Sequence, residues 1–349
     1  MNTVQEPIKA SPAAVAPRRA FKPRQLLTVF GPFIGLALVI GFFCAMPSVR
    51  PYFFTGANFK IIFVQTVTVA IGSLGMTMII ISGGIDLSVG SVVALTSVVG
   101  AALLDWHFRP GASHWAAFFP PFVIALLTIL AGGLLGVIDG AMIAGFRMMP
   151  FIVTLGMMGI ARGGAKWLAG SQIINAPDSS INLLMAQNDP DHFFPLPPGV
   201  WITVGLAIVM SVVMRRTVFG RYIFAIGSNE AAARLCGIRV QWQKVFIYSI
   251  AGLFFGLSGL MQLSRLTEGD PTTAIGLELD IIAAVVIGGA SLNGGTGSIL
   301  GSMIGALIMA VLRNGSNQMG LPTYMQEILI GMIIILAVGL DKLRQRRTD

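Results

Sequence analysis

The chain has 349 residues and a net charge of +8, and 55% of its residues are hydrophobic while only 11% are charged. Soluble globular proteins carry about 25% charged residues, so this composition excludes a soluble domain. Several apolar runs are long enough for spanning helices, which predicts an all-α polytopic integral membrane protein. The positive charge does not indicate a nucleic-acid partner, because the basic residues lie beside these runs and act there as topology signals.

Three regions divide the chain. Residues 1–25 form a polar and basic tail, residues 26–340 a transmembrane domain, and residues 341–349 a second basic tail. The first apolar run, from Leu26 to Met46, is too long for the core of a cleavable signal peptide. We therefore expect it to be the first membrane span.

About ten segments are expected to cross the membrane, since a spanning helix needs about 20 mostly apolar residues. The eighth is short and ends in Gly288 and Gly289, which predicts a broken or re-entrant helix. Such a helix is tolerated only where protein or a cavity surrounds it. The ten segments lie at 26–46, 59–82, 88–104, 117–145, 151–169, 200–214, 245–264, 280–292, 297–313 and 325–340.

The basic residues favour an arrangement with both termini in the cytoplasm. In that arrangement 16 of the 23 Lys and Arg residues fall on the cytoplasmic side, and seven lie outside or within spans, as the positive-inside rule expects. Residues 215–244 then face the cytoplasm and residues 170–199 face outward. The outer loop is acidic and rich in proline, and it is either a partner-binding or gating element or an ordinary polar loop.

A polar break follows the second span, at Gly83 to Ser88. Asp86 or Ser88 is expected to cap the next helix, and the break is also a candidate for exposing polar backbone to a permeation path. The similar stretch from Gly288 to Asn293 makes Asn293 a further candidate. Either an internal duplication, which is common in transporters, or a chance likeness of two glycine-rich turns explains the similarity.

The fourth span contains Gly132, Gly136 and Gly140, a row on one helix face that permits close approach of another helix. Asp139 lies beside this row and is therefore expected to face protein. An ionisable residue at this depth is a functional hypothesis by default. Two alternatives are open: Asp139 pairs with Arg162 of the next span, or it is protonated or faces the pathway.

Acidic residues also precede the eighth segment, where Glu268, Asp270, Glu278 and Asp280 either bind a partner or cation or act as solvated loop and cap charges. Asp280 is expected to cap the following helix. The chain has no phosphate-binding loop, no HExxH motif and no Cys/His cluster. We therefore expect no catalytic residue, no metal site and no cofactor bound by this chain.

The segment 215–244 holds six Lys and Arg residues and predicts a short capped helix at its centre. Ser228 or Asn229 is the expected N-cap, Glu230 suits the positive end of the helix dipole, and Gly237 suits the C′ position. Such a helix between two spans is suited to docking a soluble partner, so we expect the driving energy to come from outside the chain. The expected docking residues are Gly227, Ser228, Asn229, Glu230, Ala231, Ala233, Arg234 and Gly237.

Four stretches together resemble the inner-membrane permease of bacterial ABC importers for monosaccharides, of the ribose/xylose/arabinose/galactose type. The resemblance covers nearly the whole chain from about residue 26. The four stretches are SGGIDLSVGSVVAL (82–95), PFIVTLGMMGIARG (150–163), FAIGSNEAAARLCGI (224–238) and LELDIIAAVVIGGASLNGGTGSILGSMIGALI (277–308).

This resemblance implies a permease subunit in the bacterial inner membrane that imports a monosaccharide or related small polyol. It further implies two permease copies in a homodimer, a separate cytoplasmic ATP-binding subunit that holds ATP-Mg, and a periplasmic sugar-binding protein. The family's docking element corresponds to Gly227 to Gly237. One departure is visible, because the family more often carries Asn where this chain has Asp139.

The competing hypothesis is an ion-coupled secondary transporter of a small polar solute. Its titratable groups would be Asp86, Asp139 and Arg162. This hypothesis gives the predicted docking helix no purpose. A membrane enzyme is disfavoured by the absence of a catalytic cluster from the sequence.

Overall fold

The computed structural model describes residues 23–108, 120–186 and 196–346. Part of the predicted N-terminal tail (1–22), part of the outer loop (187–195) and the end of the C-terminal tail (347–349) lie outside the described residues.

The described chain is almost entirely helical, which confirms the all-α prediction. One two-residue antiparallel ladder joins β1 (Ile174–Asn175) to β2 (Glu268–Gly269), and a short 3-10 helix covers Asn182–Leu184. The helices are α1 (Pro23–Ala45), α2 (Arg50–Phe53), α3 (Gly56–Ile81), α4 (Val89–Phe108), α5 (Pro121–Gly145), α6 (Pro150–Leu168), α7 (Pro198–Arg216), α8 (Val218–Ser228), α9 (Glu230–Leu235), α10 (Val240–Leu266), α11 (Leu277–Ile287), α12 (Ile299–Gln318) and α13 (Thr323–Arg346).

Six of these helices, α3, α4, α5, α7, α10 and α12, are long and apolar enough to cross a membrane. Each other predicted span coincides with a helix, but none of those helices meets the same standard. The apolar parts of α1 and α13 among the described side chains, Phe30–Ala45 and Thr323–Leu336, have fewer than 18 residues, α6 contains Arg162 and Lys166, and α11 has only 11 residues. The count of ten spans is therefore not confirmed.

Two ends of the helix bundle are distinguished by their loops. We call the end formed by α8, α9 and the turn 146–149 the basic side, and the end formed by β1, β2 and the 3-10 helix the far side. Helix α3 runs from the far side to the basic side through the centre of the protein. Its apolar window is 94% buried, because its side chains are apolar on every face.

Helices α5 and α10 meet along two rows of glycine. A Cβ on Gly136 would collide with the Tyr248 carbonyl oxygen and lie 3.0 Å from the Gly252 Cα atom, and one on Gly132 would collide with Gly256. The predicted close approach at the glycine row of the fourth span is thereby confirmed. The matching row on α10 was not singled out in the sequence.

Helix α4 begins inside the protein, not at its surface. A Cβ on Gly72 would touch both Ile281 and Val89, the first residue of α4. Gly72 lies nine residues before the end of α3, which is about 13 Å at 1.5 Å per residue. Residues 82–88 therefore turn back from the basic side into the interior before α4 starts.

Helix α11 begins at the same depth from the opposite direction. A Cβ on Gly90 would meet the Glu278 carboxylate and the Ala274 carbonyl oxygen, so the first turns of α4 and α11 adjoin. After 11 residues α11 ends at Gly288, and Gly289 takes a φ of +94°. The predicted short eighth segment and its break at Gly288 and Gly289 are confirmed.

Gly136→Ala should destabilise the protein, because the added methyl group must push apart two backbones; overpacking of this kind costs about 1–3 kcal/mol. Thermal unfolding of the detergent-solubilised protein measures the effect. Gly145→Ala is the matched control, since it lies on the same helix with no atom near its Cβ position. Equal melting temperatures for the two variants would contradict the close packing of α5 on α10.

Candidate functional site

A polar cavity of about 310 Å³ lies among α3, α10, α11 and α12, in the half of the protein towards the far side. Its size is at the lower end of small-molecule sites. The polar side chains that line it come from distant parts of the sequence, and sequence reasoning singled out only Asp280 among them. They are Gln65, Thr68, Gln262, Arg265, Asp280, Arg313 and Asn317.

An ion pair crosses one wall of this cavity. The Asp280 Oδ2 atom lies 2.6 Å and 2.7 Å from two guanidinium nitrogens of Arg313. Asp280 was expected to cap its helix, but this prediction is wrong. Helix α11 begins three residues earlier, after Gly276. Gly276 takes a φ of +79°, so the chain turns into the helix there and Asp280 is left inside the first turn, facing α12.

Several buried polar atoms around the cavity have no hydrogen-bond partner in the described part of the chain. They are the Asp280 Oδ1, Arg265 Nε and Gln65 Oε1 atoms. Leaving such an atom unpaired costs about 1–3 kcal/mol. Their concentration at one cavity indicates that water or a polar solute satisfies them.

Gln262 connects the walls of the cavity. Its Nε2 atom donates to Thr273 Oγ1 at 2.9 Å, and its Oε1 atom accepts from Arg265 at 3.0 Å and from Thr68 at 3.4 Å. These amide, hydroxyl and guanidinium groups offer both donors and acceptors. The cavity is therefore suited to a polar solute with several hydroxyl groups.

Arg162 secures the non-helical segment that precedes α11. Its guanidinium donates to the carbonyl oxygens of Pro271 at 2.9 Å and Thr273 at 2.6 Å, and its electrostatic neighbours are Glu278 and Asp270. Both carbonyl groups belong to irregular backbone, which needs such partners inside a membrane protein.

Of the two alternatives for Asp139, pairing with Arg162 is therefore not what the structure shows. Arg162 lies 12 residues from the start of α6, about 18 Å from the basic side, whereas Asp139 lies six residues from the end of α5, about 9 Å from it. Helix α5 is also held against α10 by its glycine row, which turns Asp139 away from the far end of α6.

Thr154 bonds the irregular segment before α4 in the same way that Arg162 bonds the irregular segment before α11. Its hydroxyl accepts from the Leu87 N–H at 3.2 Å and lies 3.3 Å from the Ile85 carbonyl oxygen, to which it donates. Thr154 and Arg162 are eight residues apart and so lie on one face of α6. This placement gives a structural reason for the motif at residues 150–163.

The structure brings Asp86, Ser88 and Asp139 together in one buried cluster. The Asp86 Oδ1 atom accepts from the Ser88 amide and hydroxyl, both at 2.7 Å, which stabilises the turn just before α4. Asp86 and Ser88 are also neighbours of the Asp139 carboxylate. Asp86 and Asp139 are 2% and 1% exposed, and neither forms an ion pair within the described ranges.

Tyr248 completes this cluster and was missed in the sequence. It is 2% exposed and interacts electrostatically with both carboxyl groups. Its hydroxyl and the Asp139 Oδ1 atom have no hydrogen-bond partner in the part of the chain that the structure describes. Tyr248 could not be singled out beforehand, because it is one aromatic residue on a mostly apolar helix.

The predicted capped helix is confirmed as α9. The Asn229 Oδ1 atom accepts from the Ala232 amide at 2.9 Å, Glu230 occupies the first turn, and Gly237 takes a φ of +83° after the last turn. A second capped helix, α8, precedes it, with Thr217 accepting from the Gly220 amide.

Two of the expected docking residues face the protein interior. Ala233 is 5% exposed and packs with Ile226 and Val240, so its role is to anchor α9 and not to contact a partner. Gly227 lies against the Ile81 carbonyl oxygen and the Gly295 amide nitrogen. The outer face instead presents Ser228, Asn229, Ala231, Ala232 and Leu235.

Leu235 was not among the expected docking residues. Its side chain is 90% exposed, although it is large and apolar. It is the last residue of α9.

Glu230 ties α9 to the start of α10. Its carboxylate binds Lys244 at 2.7 Å and Arg234 at 3.1 Å. Partial burial raises the pKa of Glu230, but the hydrogen bond and charge of Lys244, followed by those of Arg234, outweigh burial and hold the pKa below 4.5. A lowered carboxyl pKa stabilises the folded state at neutral pH, and this contribution is lost only as the pH falls through the lowered value.

The two similar glycine-rich stretches meet at the basic side. The Gly295 amide donates to the Ile81 carbonyl oxygen at 2.8 Å, and a Cβ on Gly294 would approach both Gly227 and Gly83. Asn293 lies in the same turn, where its backbone N–H donates to the Ser291 hydroxyl at 3.3 Å. The end of α8 therefore packs directly on the turn that follows α3 and on the turn that follows α11.

Asp139→Asn should leave the free energy of unfolding unchanged or raise it, because it removes a buried carboxylate that has an acidic neighbour. Arg162→Gln should cost about 1.5–3 kcal/mol for lost charged hydrogen bonds. In the double variant the two effects should add within about 0.5 kcal/mol. Strong destabilisation by Asp139→Asn that Arg162→Gln rescues would show that the two residues are coupled after all.

Comparison with known proteins agrees with this architecture. Residues 58–338 match the protein family described as the permease component of branched-chain amino acid transport systems. The chain is 38% identical over 299 residues to the ribose import permease protein of Escherichia coli K12, covering 85% of this chain and 89% of that protein. No solved structure gives a significant match.

Two further relatives carry other sugar names. The chain is 35% identical over 294 residues to the fructose import permease protein of Rhizobium meliloti, covering 83% of this chain and 79% of that protein. It is 32% identical over 354 residues to the L-arabinose ABC transporter permease protein of Azospirillum brasilense, covering 99% and 98%. The resemblance drawn from the four sequence motifs is confirmed, and the chain belongs to this family of transport-system permease components.

Proposed function

We propose that the chain is the permease subunit of an ATP-driven ABC importer for a monosaccharide or a related small polyol. The observation that carries this proposal is the polar cavity lined by α3, α10, α11 and α12. Its unpaired amide, guanidinium and carboxylate atoms match a solute with many hydroxyl groups. Ribose, fructose and L-arabinose, the sugars for which the relatives are named, are all solutes of this kind.

The cavity is the translocation pathway within one subunit. The irregular segments that precede α4 and α11 are the parts that move. Arg162 holds the segment 271–273 on the cavity wall. The turns at residues 82–88 and 288–297 close the basic side beneath α8. Because Gly227 touches Ile81 and Gly295 without an intervening side chain, a displacement of α8 and α9 reaches both turns directly.

A separate ATP-binding subunit supplies that displacement. It carries ATP-Mg and docks on the exposed face of α9, where Leu235 is the apolar anchor. The complete importer contains two copies of this chain in a bacterial inner membrane, with both termini in the cytoplasm, and a periplasmic sugar-binding protein on the far side. The basic residues near α8 and α9 support this orientation.

Leu235→Asp should weaken binding of the ATP-binding subunit at least about tenfold, or about 1.4 kcal/mol, while the permease stays folded. Ala233→Asp should instead unfold α9, because it buries a charge against Ile226 and Val240. Co-purification and thermal unfolding measure the two effects. The control is Leu183→Asp, an exposed leucine of the far-side 3-10 helix. Unimpaired binding by Leu235→Asp would remove the docking role of α9.

Transport itself is tested with radiolabelled D-ribose, D-fructose and L-arabinose in proteoliposomes that contain the permease, its ATP-binding subunit and its binding protein. Gln262→Leu should reduce uptake about tenfold or more, since it removes several hydrogen bonds at similar volume. Ser249→Ala is the control on the same helix, because its hydroxyl bonds only its own backbone at Val245.

The same preparation separates the competing hypothesis. Uptake that requires ATP and the ATP-binding subunit supports an importer of the proposed type. Uptake by the permease alone, driven by a proton or sodium gradient, would instead establish an ion-coupled transporter.

A further inference from the structure

A second cavity lies on the basic side, between the turn 146–149 and the corner of α9 and α10. Its volume is about 270 Å³, and its lining includes Arg147, Glu230, Arg234 and Lys244. Three of these side chains are cationic and one is anionic, which leaves an excess of two positive charges. The cavity is separate from the polar cavity on the far side, and Glu230 and Arg234 of α9 form part of its wall.

The charges are arranged so that they are only partly neutralised. Glu230 occupies Lys244 and Arg234 through its two carboxylate oxygens, and Arg147 takes part in neither ion pair. Arg147 also adopts a left-handed backbone with a φ of +54°. A non-glycine residue in this conformation costs about 1–3 kcal/mol and is concentrated at functional sites.

Exposed apolar side chains form part of the lining of this cavity. Met148 and Met149 line it and are 38% and 71% exposed, and Phe146, next to Arg147 in the same turn, is 77% exposed. The turn joins two helices that end together, so these side chains lie at the level of the membrane surface. Aromatic residues are enriched at that level, where one face meets lipid and the other meets water.

We propose that this cavity binds the phosphate of an anionic phospholipid headgroup, with the acyl chains against the exposed apolar residues. Arg and Lys bind phosphate oxygens through charge-assisted hydrogen bonds, and basic pockets between spans accept anionic headgroups. The exposed apolar side chains of Met148 and Met149 favour a lipid over a soluble anion, because a soluble anion has no acyl chain to pack against them. Leu235, the proposed apolar anchor for the ATP-binding subunit, is not among the residues that line this cavity.

Binding there connects the lipid to α9. The headgroup phosphate and the Glu230 carboxylate compete for the same donors on Lys244 and Arg234. An occupied cavity therefore loosens the tie between Glu230 and α10, and an empty one leaves it intact. This inference does not depend on the identity of the transported solute.

The test measures retention of dioleoyl phosphatidylglycerol by the full-length, delipidated permease in detergent, by native mass spectrometry. Arg147→Gln should lower retention at least fivefold. Glu230→Gln should raise it, because it frees Lys244 and Arg234 for the phosphate. Arg216→Gln, an exposed arginine of the last turn of α7 outside the cavity, should change retention less than twofold.

Several results would overturn the proposal. These are equal losses in the Arg147 and Arg216 variants, equal retention of dioleoyl phosphatidylcholine, or a decrease with Glu230→Gln. Displacement of the lipid by millimolar inorganic phosphate would identify a soluble anion as the ligand. Unchanged lipid retention in Arg147→Gln, together with lost binding of the ATP-binding subunit, would assign the cavity to the protein interface.

Discussion

The architecture depends on how irregular backbone is kept bonded inside a membrane protein. Helices α4 and α11 both begin in the interior, so the segments before them carry amide and carbonyl groups that no helix satisfies. Side chains of the neighbouring helix α6 supply the missing partners: Thr154 for the first segment and Arg162 for the second. Asp86 completes the first turn by accepting from Ser88. These bonds are what allow polar backbone to line a cavity.

Close packing of backbones transmits this arrangement to the rest of the protein. The glycine rows of α5 and α10 join those helices without side chains between them, and the contact of Gly227 with Ile81 and Gly295 joins α8 to the basic-side turns in the same way. Side chains at such contacts would rotate to absorb a displacement, whereas adjoining backbones move together. In the proposed importer, this packing carries a displacement of α9 towards the polar cavity, although the two lie in opposite halves of the molecule.

Features fixed by local chemistry were predictable from the sequence. The cap at Asn229, the stop at Gly237, the break at Gly288 and the close approach at Gly136 follow from residue type and spacing alone. Features that depend on which helices adjoin were not. Ala233 is indistinguishable from its neighbouring alanines until α9 is placed on α8 and α10, and Arg162 has equally plausible partners until α6 is placed on α4. The cavity draws Gln65, Gln262 and Asn317 from three helices, so no sequence pattern marks it. The count of ten spans stays unconfirmed, because α11 has only 11 residues, α6 carries two charged residues, and the described apolar parts of α1 and α13 are short.

The burial of α3 also bears on how the protein is made. Most side chains of this helix are apolar and they lie all around it, so it is compatible with lipid before any neighbour arrives, even though protein covers 94% of its apolar window in the finished fold. Helix α6 contains Arg162 and Lys166, and α11 is too short to cross a bilayer, so both are unfavourable in lipid alone. Their membrane insertion therefore has to wait for protein surfaces already in place. The chain order serves this need, because α3 is synthesised before the segments that rely on it.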